Sequence, residues 1–213
     1  MVETPIPVLV IGDKNLSSWS MRPWVALHAA GIAFDEVRIK LRTETSKAEI
    51  LRHSPAGKVP ALKLGAVAIG ESIAICEWAA ENAKTPILPQ DPVARAVCRA
   101  AGAEMHAGFG ALRNECPMDM LARFANHPIS DQCLGDITRI DALWNDCRRQ
   151  WGQGGPYLFG AWSLADAMFA PVVSRFITYD LRVSPAARAY LEVASHHPSY
   201  MAWAEGARAE AAI

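Results

Sequence analysis

Two short stretches of this chain hold residues that could do chemistry together. In one, Gly57-Lys58-Val59-Pro60-Ala61-Leu62 is followed closely by Gly70-Glu71-Ser72-Ile73-Ala74-Ile75. Proline has no N–H and a fixed φ, so a strand ladder is interrupted at Pro60. The amide and carbonyl of Val59 are then free to pair with an extended, peptide-like ligand, as an added strand would. Glu71 and Ser72 place an acid and a hydroxyl at the opening of a helix-like run. The other stretch is Ser17-Ser18-Trp19-Ser20. Pro23 locates a helix start nearby, because proline is tolerated only among the first helical positions. Ser20 reads as the N-cap, with Pro23 at the third helical position. Ser17 and Ser18 then precede the helix, either as turn residues or as hydroxyls aimed at a ligand. A hydroxyl beside a helix N-terminus suits a thiolate: it donates to sulfur, and the helix end adds positive potential. Lowering a thiol from about 8.5 by two units requires roughly 3 kcal/mol, within reach of one charged hydrogen bond plus a helix terminus.

The elements that must position these residues alternate in the first eighty-odd residues. Val8 to Ile11 reads as a buried strand, and Arg22 to Ala30 as a helix stopped by Gly31. Phe34 to Leu41 is a second strand, with Val37, Ile39 and Leu41 on one face. Ser46-x-x-Glu49 fits a capping box for a short helix before Pro55. Ala61–Leu64 and Val67–Ile69 form a hairpin around Gly65, and Glu71–Asn82 a third helix. The order βαβ-α-ββα spans 1–84. Pro86, Pro89 and Pro92 punctuate a linker, 85–92, and 93–213 has only helical patterns: Val93–Arg113, Asp131–Trp151, Leu164–Tyr179, Ala186–Ala194 and Ser199–Ala209.

Composition narrows the class. The chain has 213 residues, 51% hydrophobic, with a formal net charge of −1. That supports a sizeable core and gives no electrostatic case for nucleic acid or an acidic membrane. No apolar run near the start is long enough for a signal segment or a span, so a cytoplasmic location is expected. The five cysteines include no Cys-x-x-Cys and no histidine at ligand spacing, so reduced thiols are expected and a metal is not.

Taken together, Ser17-Ser18-Trp19-Ser20-Met21-Arg22, Ser54-Pro55-x-Gly57-Lys58-Val59-Pro60-Ala61-Leu62, Glu71-Ser72-Ile73-Ala74-Ile75 and Gly160-x-x-Ser163-x-Ala165-Asp166 resemble the cytosolic glutathione transferase family. The nearest likeness is to serine-type, zeta-like bacterial members. The resemblance implies a thioredoxin-like α/β domain that binds glutathione and an all-α domain that lines the second-substrate site. It makes Pro60 a cis-proline, gives Val59 the cysteinyl unit, and gives Glu71 and Ser72 the ammonium and carboxylate of the γ-glutamyl end. Ser17 would hold the sulfur, with Ser18 the alternative. Lys58 either approaches the glycyl carboxylate or stays solvated. Ser163 and Asp166 would form a buried structural cap. The implied activity is glutathione transfer to a small electrophile, with glutathione as cosubstrate, no resident cofactor, and a homodimer. The alternatives are a glutathione-dependent isomerase of the maleylacetoacetate isomerase kind and a non-catalytic binding module. Zeta enzymes typically carry cysteine where Trp19 stands, a departure that weighs against their isomerisation and toward transfer.

For the second substrate, His106, Gly110 and Arg113 would share one face of a helix, and Arg175 and Tyr179 one face of another. With Trp19 they would form an apolar wall bearing cations, suited to an electrophile with carboxylate or carbonyl oxygens. Otherwise the arginines pair with acids such as Glu104 or Asp180, and His106 simply packs.

Overall fold

A computed structural model describes residues 6–212. The first lobe runs β1 (Val8–Ile11), α1 (Ser18–Ala29), β2 (Asp35–Arg38), α2 (Ser46–Leu51), β3 (Ala61–Leu64), β4 (Val67–Ile69) and α3 (Ser72–Glu81). The second runs α4 (Pro92–Ala107), α5 (Gly110–Glu115), α6 (Asp131–Trp151), α7 (Leu164–Thr178), α8 (Pro185–Ser195) and α9 (Pro198–Ala211). The expected α/β lobe followed by a helical lobe is therefore present.

The sheet order is β2-β1-β3-β4, with β1 parallel to β2 and antiparallel to β3. Strand alternation sorts its two faces. Val10 and Ala61 meet Ile39 and Ile50 on one side, with Val37 and Leu41 packed against them. Leu9, Ile11 and Leu62 face the other way, into a core continuous with Trp144, Phe169 and Trp203 of the helical lobe. One apolar interior thus spans both lobes and fixes the cleft between them.

α1 ends as its sequence predicts. Gly31 takes φ +68°, Ile32 N–H donates to Leu27 and Gly31 N–H to His28, a Schellman closure. Its start differs. The helix begins at Ser18, its first bond running from Met21 N–H to the Ser17 carbonyl at 3.1 Å, so Pro23 lies inside the helix and Ser20 is not the cap. Packing of α1 against α3, α7 and α9 outweighs the local preference for placing proline in the first turn. Ser20 is fully buried and accepts instead from Gly12 N–H at 3.1 Å, tying the end of β1 to α1.

Two further expectations are corrected. Ser46 is not half of a capping box: its hydroxyl donates to the Lys40 carbonyl at 2.7 Å and accepts from Thr43 N–H, holding the preceding loop. The run Val93–Arg113 is not one helix. It breaks at Gly108 and Phe109, where Phe109 takes φ +62°. Arg113 folds back over the break, donating to the carbonyls of Gly108 at 2.9 Å, His106 at 3.1 Å and Met105. The guanidinium satisfies the open carbonyl end of α4, which a cation favours electrostatically.

Candidate active site

The β3 edge, the N-terminus of α3 and the N-terminus of α1 meet at one cleft of about 440 Å³. Ser17, Ser18, Trp19, Lys58, Val59, Pro60, Glu71 and Ser72 all line it. The Val59–Pro60 peptide is cis. β3 begins only at Ala61, opposite Val10. Among the described residues no hydrogen bond engages the Val59 amide or carbonyl, so both are open to an extended ligand.

Across the cleft, Ser72 is buried as the first residue of α3, where unpaired N–H groups and its hydroxyl can receive a carboxylate. Glu71, just before it, is exposed and held at φ +60°, ψ +118°. That left-handed conformation is costly for a residue with a Cβ and persists where the surroundings over-determine it. It turns the Glu71 carboxylate and the Ser72 hydroxyl toward the same space, an arrangement for gripping a paired ammonium and carboxylate.

The serines at α1 differ in what their protons do. Ser17 donates to Ser20 Oγ at 2.8 Å. Ser18 accepts from the Arg175 guanidinium at 3.2 Å, which leaves its own proton free and strengthens it as a donor. Arg175 is itself buried, donating also to the Cys116 carbonyl at 2.9 Å; burial first, then Arg113, brings its guanidinium down to about 10. Ser18 is therefore the better placed hydroxyl for an anionic sulfur.

The residues expected to form the second-substrate wall divide. Trp19, Arg113 and Arg175 line an adjoining cavity of about 290 Å³, with Ser18, Arg42 and Asn114. No carboxylate lines it. Trp19 stands between the two cavities and bounds both. Two guanidiniums hold its ring, Arg22 at 4.3 Å and Arg113 at 4.8 Å from its centroid. His106 lies elsewhere: it approaches Glu71 and Ser72 Oγ, each at 3.5 Å, and sets its ring edge-on to Trp19. It belongs with the acid–hydroxyl pair, because the break at Gly108 sends Arg113 off its helical face. Burial and then Arg22 lower its affinity for a proton, against the pull of Glu71. Tyr179 is not brought to the cleft at all. Its hydroxyl donates to the Pro117 carbonyl at 2.9 Å, and its ring packs on His127 and Phe124. The acids named as partners serve elsewhere, Glu104 with Arg139 and Asp180 with Arg188.

Arg22 and Arg42 were not among the candidates. Arg22 is fully buried, donates through Nε to the Met168 carbonyl at 3.2 Å, and leaves both terminal nitrogens without a partner. Its position in an apolar helical pattern was the available signal, since an arginine on a buried face needs a reason. Arg42 offered only its place after β2.

Asp166 is structural. It accepts from Ser163 N–H at 2.8 Å, the Ser163 hydroxyl at 2.6 Å, Leu158 N–H at 3.2 Å and the Tyr190 hydroxyl at 2.9 Å. Burial raises it to about 6 against the pull of these four donors.

Known proteins place this architecture. The family model "Glutathione S-transferase, N-terminal domain" matches residues 16–82, and "Glutathione S-transferase, C-terminal domain" matches 99–205. The chain belongs to the glutathione transferase family and is an enzyme of that class. Among its relatives are the maleylacetoacetate isomerase of Rattus norvegicus, 29% identical over 84% of this chain and 82% of that protein, and glutathione S-transferase 1 of Dianthus caryophyllus, 33% identical over 77% and 75%. A theta-class glutathione S-transferase from Xanthomonas axonopodis pv. citri, solved with glutathione bound, superposes with a TM-score of 0.70 at 20% identity, covering 94% of this chain and 97% of that one. A glutathione transferase homolog from Burkholderia, also with bound glutathione, gives 0.69 at 22% identity over 96% and 98%.

Proposed function

We propose that this transferase binds glutathione along the Val59 edge, ionises its thiol against Ser18, and adds the thiolate to a small electrophile bearing a carboxylate. Glutathione is a tripeptide whose γ-glutamyl end carries an ammonium and a carboxylate; Glu71 and Ser72 offer the matching acid and hydroxyl. Lys58, exposed at the cleft rim, suits the glycyl carboxylate. Ser18 donates to the sulfur, and Arg175 behind it favours the ionised form. Ser17, held by Ser20, orients the turn. The thiol proton leaves to solvent, and the sulfur lone pair forms a bond to the electrophilic carbon as that carbon's π bond opens onto the conjugated system, which then takes a proton from solvent, or as a leaving group departs with its bonding pair. The enzyme contributes thiolate stabilisation, proximity and a desolvated second site.

The observation that carries this reading is the Arg175–Ser18 contact at the wall shared by the two cavities. The test is a glutathione titration of wild type, Ser17→Ala and Ser18→Ala, following thiolate absorbance. Ser18→Ala should raise the sulfur pKa by about one unit or more, corresponding to about 1.4 kcal/mol or more, with affinity little changed. A rise in Ser17→Ala alone returns the role to Ser17; no rise in either removes the serines from the chemistry.

Arg42, Arg113 and Arg175, with no acid lining their cavity, favour an anionic electrophile over a neutral one. The same feature supports a second reading, thiol addition to a conjugated carboxylate followed by bond rotation and departure. Assaying one carboxylate-bearing alkene for conjugate and for isomer separates transfer from isomerisation. A cytoplasmic homodimer using glutathione as cosubstrate, without a resident cofactor, completes the proposal; sedimentation in solution tests the assembly.

A further inference from the structure

The segment 12–17, which joins β1 to α1, carries no strand or helix of its own. The serine that follows it must nevertheless meet a sulfur precisely. The helical lobe supplies the missing support. Asn15, half-buried in the middle of the segment, makes three bonds to it. Its Nδ2 donates to Asp119 Oδ1 at 3.0 Å, its Oδ1 accepts from Leu121 N–H at 3.0 Å, and its carbonyl accepts from Met120 N–H at 3.2 Å. These partners fix the amide's orientation, because a carboxylate accepts and an N–H donates. The far side of Asp119 is tied in turn: its carbonyl accepts from the Thr178 hydroxyl at 2.8 Å. Thr178 stands three residues after Arg175, so the two side chains share a face of α7, about one turn apart. Arg175 reaches Ser18 Oγ at 3.2 Å. A circuit closes: Ser18 to Arg175, along α7 to Thr178, through Asp119 to Asn15, and along the chain back to Ser18.

A circuit with a packed helix as one side fixes a position. α7 is buried along nearly its whole length, so Arg175 and Thr178 serve as two fixed points. One bond from Arg175 would let the Ser18 hydroxyl swing about the end of a long side chain; a second attachment, at Asn15, removes that freedom. A misplacement of about 1 Å at a reacting group can cost as much as a hundredfold in rate. We propose that Asn15 is a positioning residue for thiolate formation, acting through Asp119 to seat the Ser18 hydroxyl between Arg175 and the glutathione sulfur, a role that rests on Ser18 being the hydroxyl that meets the sulfur. Asparagine suits the place because one short side chain must both donate and accept there. Aspartate would set a like charge against Asp119, and leucine would offer neither group.

The experiment is titration of bound glutathione by thiolate absorbance in the full chain, with kcat and KM for conjugation, across N15L, D119A, D119N, S18A and N15L/S18A. N15L removes both side-chain bonds at unchanged charge, and D119A opens the circuit without touching the serine segment. Each should raise the sulfur pKa by about half a unit or more and lower kcat about threefold or more at pH below that pKa, with the KM for glutathione within about twofold of wild type. Loss of the Asp119 charge by itself would move the sulfur the other way, so the sign separates positioning from simple electrostatics. D119N keeps the accepting oxygen and should recover most of what D119A loses. On top of S18A, N15L should add little, because it acts through that hydroxyl. An unshifted sulfur in both N15L and D119A, a D119N no better than D119A, or a full N15L effect on top of S18A would overturn the proposal. A shifted S18A beside unshifted N15L and D119A overturns the role of Asn15 alone, whereas an unshifted S18A overturns the Ser18 reading and this role with it.

Discussion

α1 and α7 both start at serine, and they use it in opposite ways. At α7 the polar groups close on themselves. Ser163 and Asp166 answer each other, and Leu158 and Tyr190 occupy what remains of the carboxylate. At α1 neither Ser17 nor Ser18 caps its own helix. Ser17 is turned to Ser20 and Ser18 is approached by Arg175, so the pair faces a cavity with a donor in hand. A helix start saturated from within is a folding device; one left open at a cleft, with a cation behind it, is a device for a ligand. Burial does not separate the two, since all four side chains are less than a tenth exposed. The direction of their hydrogen bonds does.

The contrast predicts its largest effect at α7. Asp166→Ala strands four donors, each costing about 1–3 kcal/mol when buried and unpaired, so unfolding by urea should show a loss of about 3 kcal/mol or more. A loss under about 1 kcal/mol would mean that α7 is no more committed to folding than α1. Ser18→Ala should invert the pattern. Its stability should stay within about 1 kcal/mol of wild type while kcat falls about ten- to a hundredfold, the range expected on deleting one donor to a developing anion. Equal loss of stability and turnover would erase the distinction. Glu71→Gln sharpens it from the substrate side. It keeps size and removes charge, so the KM for glutathione should rise about tenfold with the sulfur pKa of the bound form unchanged.

The smallest effect concerns pH. His197 stacks on Trp162, their ring centroids 3.7 Å apart, and its side chain accepts from Ser199 N–H at the start of α9. Burial, then His28, brings it from 6.5 to about 4. Its folded value is depressed, so its contribution to stability is present above pH 6.5 and lost as pH falls through about 4. Asp166 runs the other way. Raised from 3.8 to about 6, it favours the folded state most below 3.8 and loses that contribution as pH rises through 6. Comparing wild type with His197→Asn at each pH isolates the histidine. The variant keeps a side-chain acceptor for the helix start, and its stability relative to wild type should improve from pH 7 to pH 4. A constant difference would place the titration elsewhere.

The sheet and the set of residues that line the main cleft were legible because their signals are local. Alternation in Val37-x-Ile39-x-Leu41, proline before β3 and the acid–hydroxyl pair before α3 each act within a few residues of themselves. The second wall was not legible for the opposite reason. Helical spacing continues from Val93 through Arg113, and only the backbone at Phe109 reveals the break. Gly108 and Gly110, on either side of Phe109, were the local hints, and glycines in a helical pattern do not by themselves end a helix. His106 and Arg113 therefore went to one face on paper and to different neighbours in space. Tyr179 failed similarly, since its partner, the Pro117 carbonyl, lies far away in the chain. Charged residues inside apolar patterns, as with Arg22, depend on tertiary partners that sequence spacing does not reveal.

Trp19, with Leu16 and Ser18, bounds two compartments at once. On the proposed roles of the two rooms, a smaller residue at position 19 would enlarge the chamber for the incoming acceptor and in the same stroke loosen the one that seats the tripeptide. Breadth of acceptor choice and firmness of cosubstrate retention are thus mechanically yoked, and a library randomised at residue 19 should recover them as inversely related traits.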